Sequence, residues 1–489
     1  MSAFHDSNLA HAARFLRQYY SRILGSSLLV LIPCFWLPHA GWGDFPSHVY
    51  NAWLYPKVAA GELQGLTVSG QHTNILADVA LEWLIPGVGA NVAQRIVLSA
   101  SVLLMFWGIF ALVAAISRRP PWWLTPIFAM LTYGWAFHLG FLNSYVATAI
   151  CFWIFALLWT EPRMADVLAA VPLVLLAVLA HPVPLVWLAG TLLFGWMARR
   201  QSSAVRWLWL AAGVSALIAF NRFAVANLAG EWIPIPLLNV SGADQFYIFR
   251  ARFCWLAVTI GVLGFFALLR RMRESGWREV LSSAPMQMYL LTCAAVFLMP
   301  IAFIPPGHVQ RFGLLADRLS LMAAVLACAI LAPINVGKRA WSVIGLLTLC
   351  FFWFVYTDQR ELDRMESKVE SLVASIPRGQ RVAALLYYPR SRYEANPHAL
   401  DRVCIDHCWS YGNYEPSAGQ FRIRARGPNP YVLWKNDEMD DLQHGRYVVK
   451  QTDLPLYQIY ACGPRPLDLC IRALQAGERN GSIDLLRHW

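Results

Sequence analysis

Long apolar stretches set the strongest limit on what this chain can fold into. Eleven of them follow one another through the first three quarters of the sequence, at 23–39, 95–116, 121–138, 140–159, 165–181, 183–198, 205–225, 251–269, 286–304, 315–333 and 340–356. Most approach the roughly 20 residues that a helix needs to cross about 30 Å of hydrocarbon. Only 14% of the residues are charged, against about a quarter in soluble proteins. The sequence therefore predicts a polytopic α-helical membrane protein with about eleven transmembrane helices.

The stretches at 165–181 and 183–198 are short and are separated by the sequence His181 to Pro184. They predict either two spans joined by a tight turn or one broken helix. Both interpretations fit the apolar pattern, because proline interrupts a helix and is also common where a new helix begins.

Basic residues in the short loops predict how these helices are oriented. Residues 1–22 carry arginines and only one acid, so we expect this end in the cytoplasm. Every later loop on the same side is also basic and carries Arg118 and Arg119, then Arg163, then Arg199, Arg200 and Arg206, then Arg270, Arg271, Arg273 and Arg278, then Lys338 and Arg339. The net charge of +11 lies mostly in those loops. It therefore indicates membrane orientation, and we expect no nucleic-acid partner.

From residue 357 onward the composition changes from apolar to mixed. Residues 360–376 have the periodicity of an amphipathic helix, and 381–388 is typical of a strand. We interpret 357–489 as a small extracytoplasmic α/β domain that follows a cytoplasmic N-terminus at 1–22 and a transmembrane catalytic domain at 23–356, with 41–94 as first outer loop. The expected location is a bacterial inner membrane, with the C-terminal domain in the periplasm.

Four of the ten cysteines lie in this C-terminal region: Cys404, Cys408, Cys462 and Cys470. An even number of cysteines favours disulfides in an oxidising compartment. Proximity suggests pairing Cys404 with Cys408 and Cys462 with Cys470. A zinc site that includes His407 is the competing interpretation.

The segment from Gly41 to Tyr55 carries the earliest carboxylate beside the membrane. Pro46 suits the first turn of a helix, on which Asp44, His48 and Asn51 would share one face. The nearby aromatic residues are expected to hold that helix at the lipid–water boundary. In the simpler interpretation Asp44 only caps the helix.

Arginine and histidine side chains collect at the outer ends of the predicted spans. Outer arginines run against the preference of basic residues for the cytoplasm, and their planar guanidinium groups suit phosphate oxygens. The candidate phosphate-binding residues are Arg222, Arg250, Arg252, His308, Arg311 and Arg318. A lipid headgroup is the alternative partner for any single one of them. We infer a cavity at the outer face with a carboxylate on one wall and guanidinium groups on the other.

Such a cavity has a chemical use. Arginines can hold the phosphate of a lipid-linked sugar and stabilise it as it leaves, while a carboxylate deprotonates an acceptor hydroxyl. Asp44 is the expected general base, and His48 would orient it or share its proton. The reserve candidates are Asp78, Glu82, His138, Asn143 and His181. For the two reserve histidines, a hydrogen bond to a backbone carbonyl is the simpler interpretation.

A first span, followed by a long outer loop that opens with an acid and a short juxtamembrane helix, resembles the membrane-embedded C superfamily of glycosyltransferases. Protein O-mannosyltransferases and aminoarabinose transferases share this layout. The resemblance implies an inverting transfer of sugar from a polyprenyl-phosphate carrier, with Asp44 catalytic. Many members have two adjacent acids, whereas Phe45 follows Asp44 here, which leaves the divalent metal of some members an open question.

Other functions fit parts of the pattern. A transporter or flippase is the main alternative, although we find no charge in the middle of the spans and no internal repeat. An outer-face polymerase or ligase of glycans would share much of the chemistry. An assembly or sensor protein would need only the outer domain. The sequence leaves the acceptor open between lipid, glycan and protein.

Overall fold

The computed structural model describes residues 8–232, 234–304, 312–386, 392, 398–463, 465 and 467–481. The helices are α1 (Asn8–Gln18), α2 (Tyr20–Leu31), α3 (Phe45–Ala59), α4 (Leu76–Val88), α5 (Ala90–Ser117), α6 (Thr125–Thr132), α7 (Trp135–His138), α8 (Leu142–Trp159), α9 (Met164–Ala180), α10 (Pro182–Arg199), α11 (Ser203–Asn227), α12 (Leu237–Ser241), α13 (Ala251–Ser275), α14 (Trp277–Leu281), α15 (Ala284–Leu298), α16 (Leu315–Leu331), α17 (Lys338–Val373), α18 (Ala399–Val403), α19 (Tyr414–Ala418) and α20 (Asn436–Gln443). The strands are β1 (Leu66–Val68), β2 (Ala229–Glu231), β3 (Ala302–Ile304), β4 (Phe312–Gly313), β5 (Arg381–Leu385), β6 (Trp409–Ser410), β7 (Ile423–Ala425), β8 (Leu456–Ala461) and β9 (Leu469–Ala473).

The apolar helices agree with a helical membrane protein. Among the described residues five helices are long and apolar enough to cross a membrane, namely α5, α8, α11, α13 and α17. Shorter apolar helices run through Tyr20–Cys34, α9 and α15. These lengths do not confirm the predicted count of eleven spans.

The stretch at 121–138 is not the continuous helix that its apolar character predicts. A short 3-10 turn leads into α6, and a break at Tyr133 and Gly134 separates α6 from α7. At Gly134 a Cβ atom would lie 2.7 Å from the carbonyl oxygen of Gln245, so only glycine fits this close approach. The break therefore lets the loop that contains Gln245 pack directly against this part of the bundle.

Two other predicted boundaries are resolved by the helices themselves. The stretches at 165–181 and 183–198 form two separate helices, α9 and α10, which meet at His181. The last predicted span and the amphipathic helix at 360–376 form one helix, α17, because no proline or glycine interrupts the chain between Gly345 and Pro377. The predicted domain boundary at 357 thus lies inside a continuous helix.

The C-terminal part is an α/β unit, as the sequence predicts. Its four-stranded sheet has the order β6-β5-β8-β9, in which β5 runs parallel to β6 and β8, and β8 runs antiparallel to β9. Disulfides join Cys404 to Cys408 and Cys462 to Cys470. The zinc interpretation is wrong, because the first pair of sulfurs is bonded together and Nε2 of His407 contacts the carbonyl oxygen of Ile376 at 3.2 Å.

The first outer loop is packed into this C-terminal unit. Strand β1 pairs antiparallel with β7, and Tyr50, Leu54 and Val58 of α3 share an apolar core with Val369 of α17 and Val382 of β5. Helix α3 therefore lies between the membrane helices and the C-terminal unit.

This packing contradicts the expectation that the aromatic residues of α3 sit at the lipid–water boundary. Tyr50 of α3 is 1% exposed, and Trp42, which precedes the helix, is 3% exposed. The hydroxyl of Tyr50 accepts a hydrogen bond from the amide of Ser410 at 3.2 Å, and Nε1 of Trp53 donates to Asp406 at 3.0 Å. Aromatic side chains with one polar atom suit membrane interfaces and protein interiors alike, and the sequence pattern does not distinguish the two.

A buried ion pair joins the two parts of the molecule at the start of the first loop. Arg402 of α18 makes two hydrogen bonds to the carboxylate of Glu366 of α17, at 2.7 and 2.6 Å. The same guanidinium donates to the carbonyl oxygen of Ala40 at 2.6 Å and to Oε1 of Gln94 at 2.9 Å. It therefore connects the C-terminal unit, α17, the loop before α3 and α5.

Candidate functional site

Two glycines bring the start of α3 against the turn before α8. Gly43 and Gly140 have φ angles of +67° and +75°, and a Cβ atom on either would lie 2.4 Å from backbone atoms of the other segment. The amide of Asp44 donates to the carbonyl oxygen of Leu139 at 3.1 Å across this contact. Although Asp44 holds the cap position of α3, its side chain makes no capping hydrogen bond. The carboxylate is therefore directed to other partners.

His48 lies between two carboxylates, as its spacing from Asp44 predicts for one of them. Its Nε2 is 3.4 Å from Oδ2 of Asp44, and its Nδ1 is 2.6 Å from Oδ1 of Asp78. Asn143 of α8 donates to the other oxygen of Asp78 at 2.8 Å and accepts from the amide of Ala77 at 2.7 Å. The chain Asp44–His48–Asp78 is thus held in place by α8.

The second side of Asp44 is formed by residues that sequence reasoning missed. The hydroxyl of Tyr414 donates to Oδ1 of Asp44 at 3.0 Å, and Nε2 of His398 lies 3.5 Å from the same oxygen. Nδ1 of His398 in turn contacts Oδ2 of Asp401 at 3.0 Å. Tyr414 is 370 residues from Asp44 in the sequence. No spacing rule connects positions so far apart, and only the polar, aromatic character of the segment around Tyr414 could have suggested it.

The charges of this cluster fix its protonation. Burial alone would raise the pKa of Asp44, but the hydrogen bond and charge of His48, with help from His398 and Tyr414, lower the pKa below its usual value. Burial would lower the pKa of His48, yet Asp78 and Asp44 raise it well above its usual value. At neutral pH the cluster therefore holds an imidazolium between two carboxylates, and Asp44 is able to accept a proton.

Among the predicted phosphate-binding residues that the structure describes, Arg318 lies near this cluster. One of its NH groups donates to Nε2 of His181 at 3.2 Å, and its guanidinium lies 4.5 Å from the ring centre of Phe141. Its charge interacts with the carboxylate of Asp44. His181 thus accepts a hydrogen bond from Arg318 at its Nε2 and orients the guanidinium.

The other predicted arginines that the structure describes have other partners or are exposed. Arg250 and Arg252 contact Asp358 of α17 at 3.6 and 2.6 Å, and Arg250 also contacts Glu361 at 2.7 Å. Arg222 is exposed on α11, and within the part of the chain that the structure describes no ion pair involves it. His308 and Arg311 lie outside the described residues. The phosphate-binding role of these residues stays a prediction.

Two reserve candidates have structural contacts. Nδ1 of His138 lies 3.1 Å from the carbonyl oxygen of Gly134, which is the simpler alternative noted for this histidine, and its Nε2 lies 3.0 Å from Gln359. Glu82 of α4 forms an ion pair with Arg422 at 2.8 Å. The latter contact joins the first loop to the C-terminal unit.

A cleft of ≈ 330 Å³ opens beside this cluster, between the first loop and the C-terminal unit. We call it the His48 cleft; it is lined by His48, Asn51, Ala52, Tyr55, Gln71, Asn74, Asp78, Glu415, Phe421, Arg422 and Ile423. Asp44 lies behind the imidazole of His48. A smaller apolar crevice of ≈ 240 Å³ lies on the membrane side, with Trp42, Phe45 and Phe141 among its walls.

A second buried acidic cluster surrounds Arg392. Its guanidinium lies 3.4 Å from a carboxylate oxygen of Asp244 and 3.1 Å from one of Asp317, and it covers the ring of Trp135 at 4.0 Å. Burial raises the pKa of Asp244 to about 8, with the charge of Arg392 opposing and that of Asp317 adding to this shift. Because one guanidinium balances only one negative charge, the charges of this cluster cancel when Asp244 is protonated.

This shift predicts a pH dependence of stability. The folded protein keeps the proton of Asp244 up to about pH 8, whereas the unfolded chain releases it near the ordinary pKa of 3.8. Stability from this group is therefore present below about pH 4 and falls as the pH rises toward 8. Asp244→Asn cannot ionise, so its thermal unfolding midpoint in detergent should fall less than that of the natural chain between pH 5 and pH 8. Equal slopes for the two proteins would contradict this assignment.

Within the described ranges no group of three or more histidine, cysteine or acidic side chains has the geometry to hold a metal ion. No family model, curated protein or solved structure matches the chain.

Proposed function

We propose that the protein is a glycosyltransferase that moves a sugar from a polyprenyl-phosphate carrier to an acceptor hydroxyl at the outer membrane–water interface. The observation that carries the proposal is the setting of Asp44. It is a buried carboxylate that is ionised at neutral pH, beside a guanidinium, a cleft and a bundle of apolar helices. An isolated buried carboxylate would be neutral, so this arrangement keeps a base available where water is scarce.

The reaction requires one bond to form and one to break at the anomeric carbon of the donor. The acceptor oxygen attacks that carbon, and the bond between the carbon and the phosphate oxygen breaks with its electron pair leaving on the phosphate. The proton of the acceptor hydroxyl passes to the carboxylate of Asp44. Attack from the face opposite the leaving group inverts the anomeric configuration.

Arg318 is the residue we assign to the departing phosphate. Its charge offsets the negative charge that grows on the phosphate oxygen as the bond breaks. His181 holds one of its NH groups at 3.2 Å, and Phe141 lies beneath the guanidinium. The polyprenyl chain would continue into the apolar surroundings of α8 and α16. The same proposal includes a contribution to phosphate binding from Arg222, Arg250, Arg252, His308 and Arg311.

His48 acts through Asp44. As an imidazolium between two carboxylates it carries no lone pair for a further proton, so we assign it the orientation of Asp44 and the lowering of its pKa. The Asp78 and Asn143 side chains fix the imidazole from the other side.

We predict that His48→Gln moves the acidic limb of the pH–rate profile to higher pH. Loss of the imidazolium removes the main influence that lowers the pKa of Asp44, and burial then raises that pKa. The rate at neutral pH should fall by no more than about 10²-fold, because the base itself remains. The profile of kcat/KM against pH measures both effects. An acidic limb that stays in place would exclude this role for His48.

The proposal is tested with purified protein in lipid nanodiscs and a panel of polyprenyl-phosphate sugars labelled in the sugar. Release of polyprenyl phosphate together with a labelled product supports transfer. In sealed vesicles, movement of intact donor across the membrane without cleavage would instead favour a flippase. If no donor in the panel is cleaved and no product forms with any acceptor, the result would contradict the glycosyltransferase proposal.

A further inference from the structure

Two polar groups in the His48 cleft have no hydrogen-bond partner among the residues that the structure describes. One is Oε1 of Gln71, which is buried, while Nε2 of the same side chain donates to the carbonyl oxygen of Thr73 at 2.8 Å. Glu415 is only 6% exposed, and among the described residues no hydrogen bond or ion pair engages its carboxyl group. Buried acceptors that remain unpaired are costly, and both of these line the same cleft. The cleft therefore offers oxygen atoms to a ligand that brings hydroxyl or NH donors.

The cations of the cleft are already engaged. The guanidinium of Arg422 contacts Glu82 at 2.8 Å and lies 3.7 Å from the ring centre of Tyr55. His48 lies between Asp44 and Asp78. A phosphate or carboxylate ligand would have to compete with these carboxylates for every positive charge. The electrostatics therefore disfavour an anionic ligand.

Two aromatic side chains supply the apolar part of the cleft. Tyr55 of α3 and Phe421 of the C-terminal unit both line it. Aromatic faces carry a negative quadrupole that attracts the C–H groups of a sugar ring, and they cover its apolar side. The cleft is narrow, so a ligand there would be one ring rather than a folded segment.

We propose that the His48 cleft is the acceptor subsite and that it binds one neutral saccharide ring through its hydroxyl groups. The acceptor role of the bound ring rests on the proposed function, whereas saccharide binding rests on the cleft alone. His48 lines the cleft and its Nε2 lies 3.4 Å from Oδ2 of Asp44, so the imidazole alone separates a ring held there from the base. Gln71 and Glu415 accept from the remaining hydroxyls, and Phe421 covers one face of the ring.

The test is a binding measurement that requires no turnover. Purified protein in nanodiscs is titrated calorimetrically with a panel of methyl glycosides and the corresponding methyl disaccharides, and with inorganic phosphate and a serine-containing tripeptide as contrasting probes. The expected result is that at least one glycoside binds and that phosphate and peptide do not. A methyl glycoside that binds as tightly as its disaccharide indicates recognition of a single ring, and a tighter disaccharide indicates the end of a longer glycan.

Variants then assign the binding to this cleft. Gln71→Met removes an acceptor and Phe421→Leu removes an aromatic face, and each should weaken binding about tenfold or more. Gln475→Met, an exposed position outside the cleft, is the matched control and should bind as the natural chain does. Thermal unfolding of each variant in the same nanodiscs verifies that it is folded. If one of the two cleft variants does not fold, the other still tests the site.

The outcomes separate this inference from the proposed function. Three outcomes would overturn the saccharide subsite: donor cleavage without binding of any saccharide, binding of peptide or phosphate in place of sugar, or full affinity in both cleft variants. Saccharide binding that the cleft variants weaken would support it, even if no donor is ever cleaved. In that last case the glycosyltransferase proposal fails and the binding site stands.

Discussion

Asp44→Asn is expected to lower the rate of sugar transfer by about 10²–10⁴-fold, the range typical of a general base. Asparagine has nearly the same shape but cannot take the proton of the acceptor hydroxyl. Its amide can still contact Tyr414 and His48, so the surrounding packing should persist. The measurement is kcat for product formation with saturating donor and acceptor.

Binding separates a lost base from a lost fold. The affinity of the Asp44→Asn variant for donor should stay within a few-fold of the natural value, since the phosphate is assigned to Arg318. Asp437→Asn provides the matched control, because Asp437 is an exposed carboxylate in the first turn of α20. That variant should retain full activity. Full activity in Asp44→Asn would remove Asp44 from the role of base.

Arg402→Met is expected to lower the free energy of unfolding by about 3–5 kcal/mol, the cost of leaving a buried charge without its partner. The side chain of Glu366 is completely buried, and Arg402 makes both of its short hydrogen bonds. The carbonyl oxygen of Ala40 and Oε1 of Gln94 would also lose a donor. The measurement is denaturant unfolding in detergent, followed by the fluorescence of the C-terminal unit.

The double variant Arg402→Met with Glu366→Leu tests the cause. When both charges are removed the uncompensated carboxylate disappears, so much of the lost stability should return. The exposed ion pairs of Arg446 with Asp440 and Asp441 offer a matched contrast, because exposed ion pairs contribute little to stability. Arg446→Met should therefore change stability little. A double variant no more stable than Arg402→Met alone would show that the contacts of the guanidinium with Ala40 and Gln94 dominate.

Several features were predictable because they depend on neighbours in the sequence. Apolar stretches of span length predicted a helical membrane protein, and the four-residue spacing of Asp44 and His48 predicted their contact on α3. The disulfide between Cys404 and Cys408 also follows from proximity along the chain. In each case the helical repeat or the short separation fixes the geometry before any tertiary contact forms.

Other predictions failed or stayed open because hydropathy does not report what covers a side chain. The aromatic residues of α3 are buried under the C-terminal unit rather than at a lipid boundary, since Tyr50 and Trp53 find partners in Ser410 and Asp406. The stretch at 121–138 is broken at Gly134 by the approach of Gln245. Both outcomes depend on segments more than 100 residues away in the sequence.

The sequence by itself determined the kind of molecule and the partnership of Asp44 with His48, because period and composition act locally. Only the tertiary structure decided what surrounds that carboxylate. Tyr414 and His398 reach it from the far end of the chain, and Asp78 completes the imidazole's contacts from another helix. The charge of a buried group is set by the atoms within a few ångströms of it, and these are chosen by packing rather than by sequence neighbours.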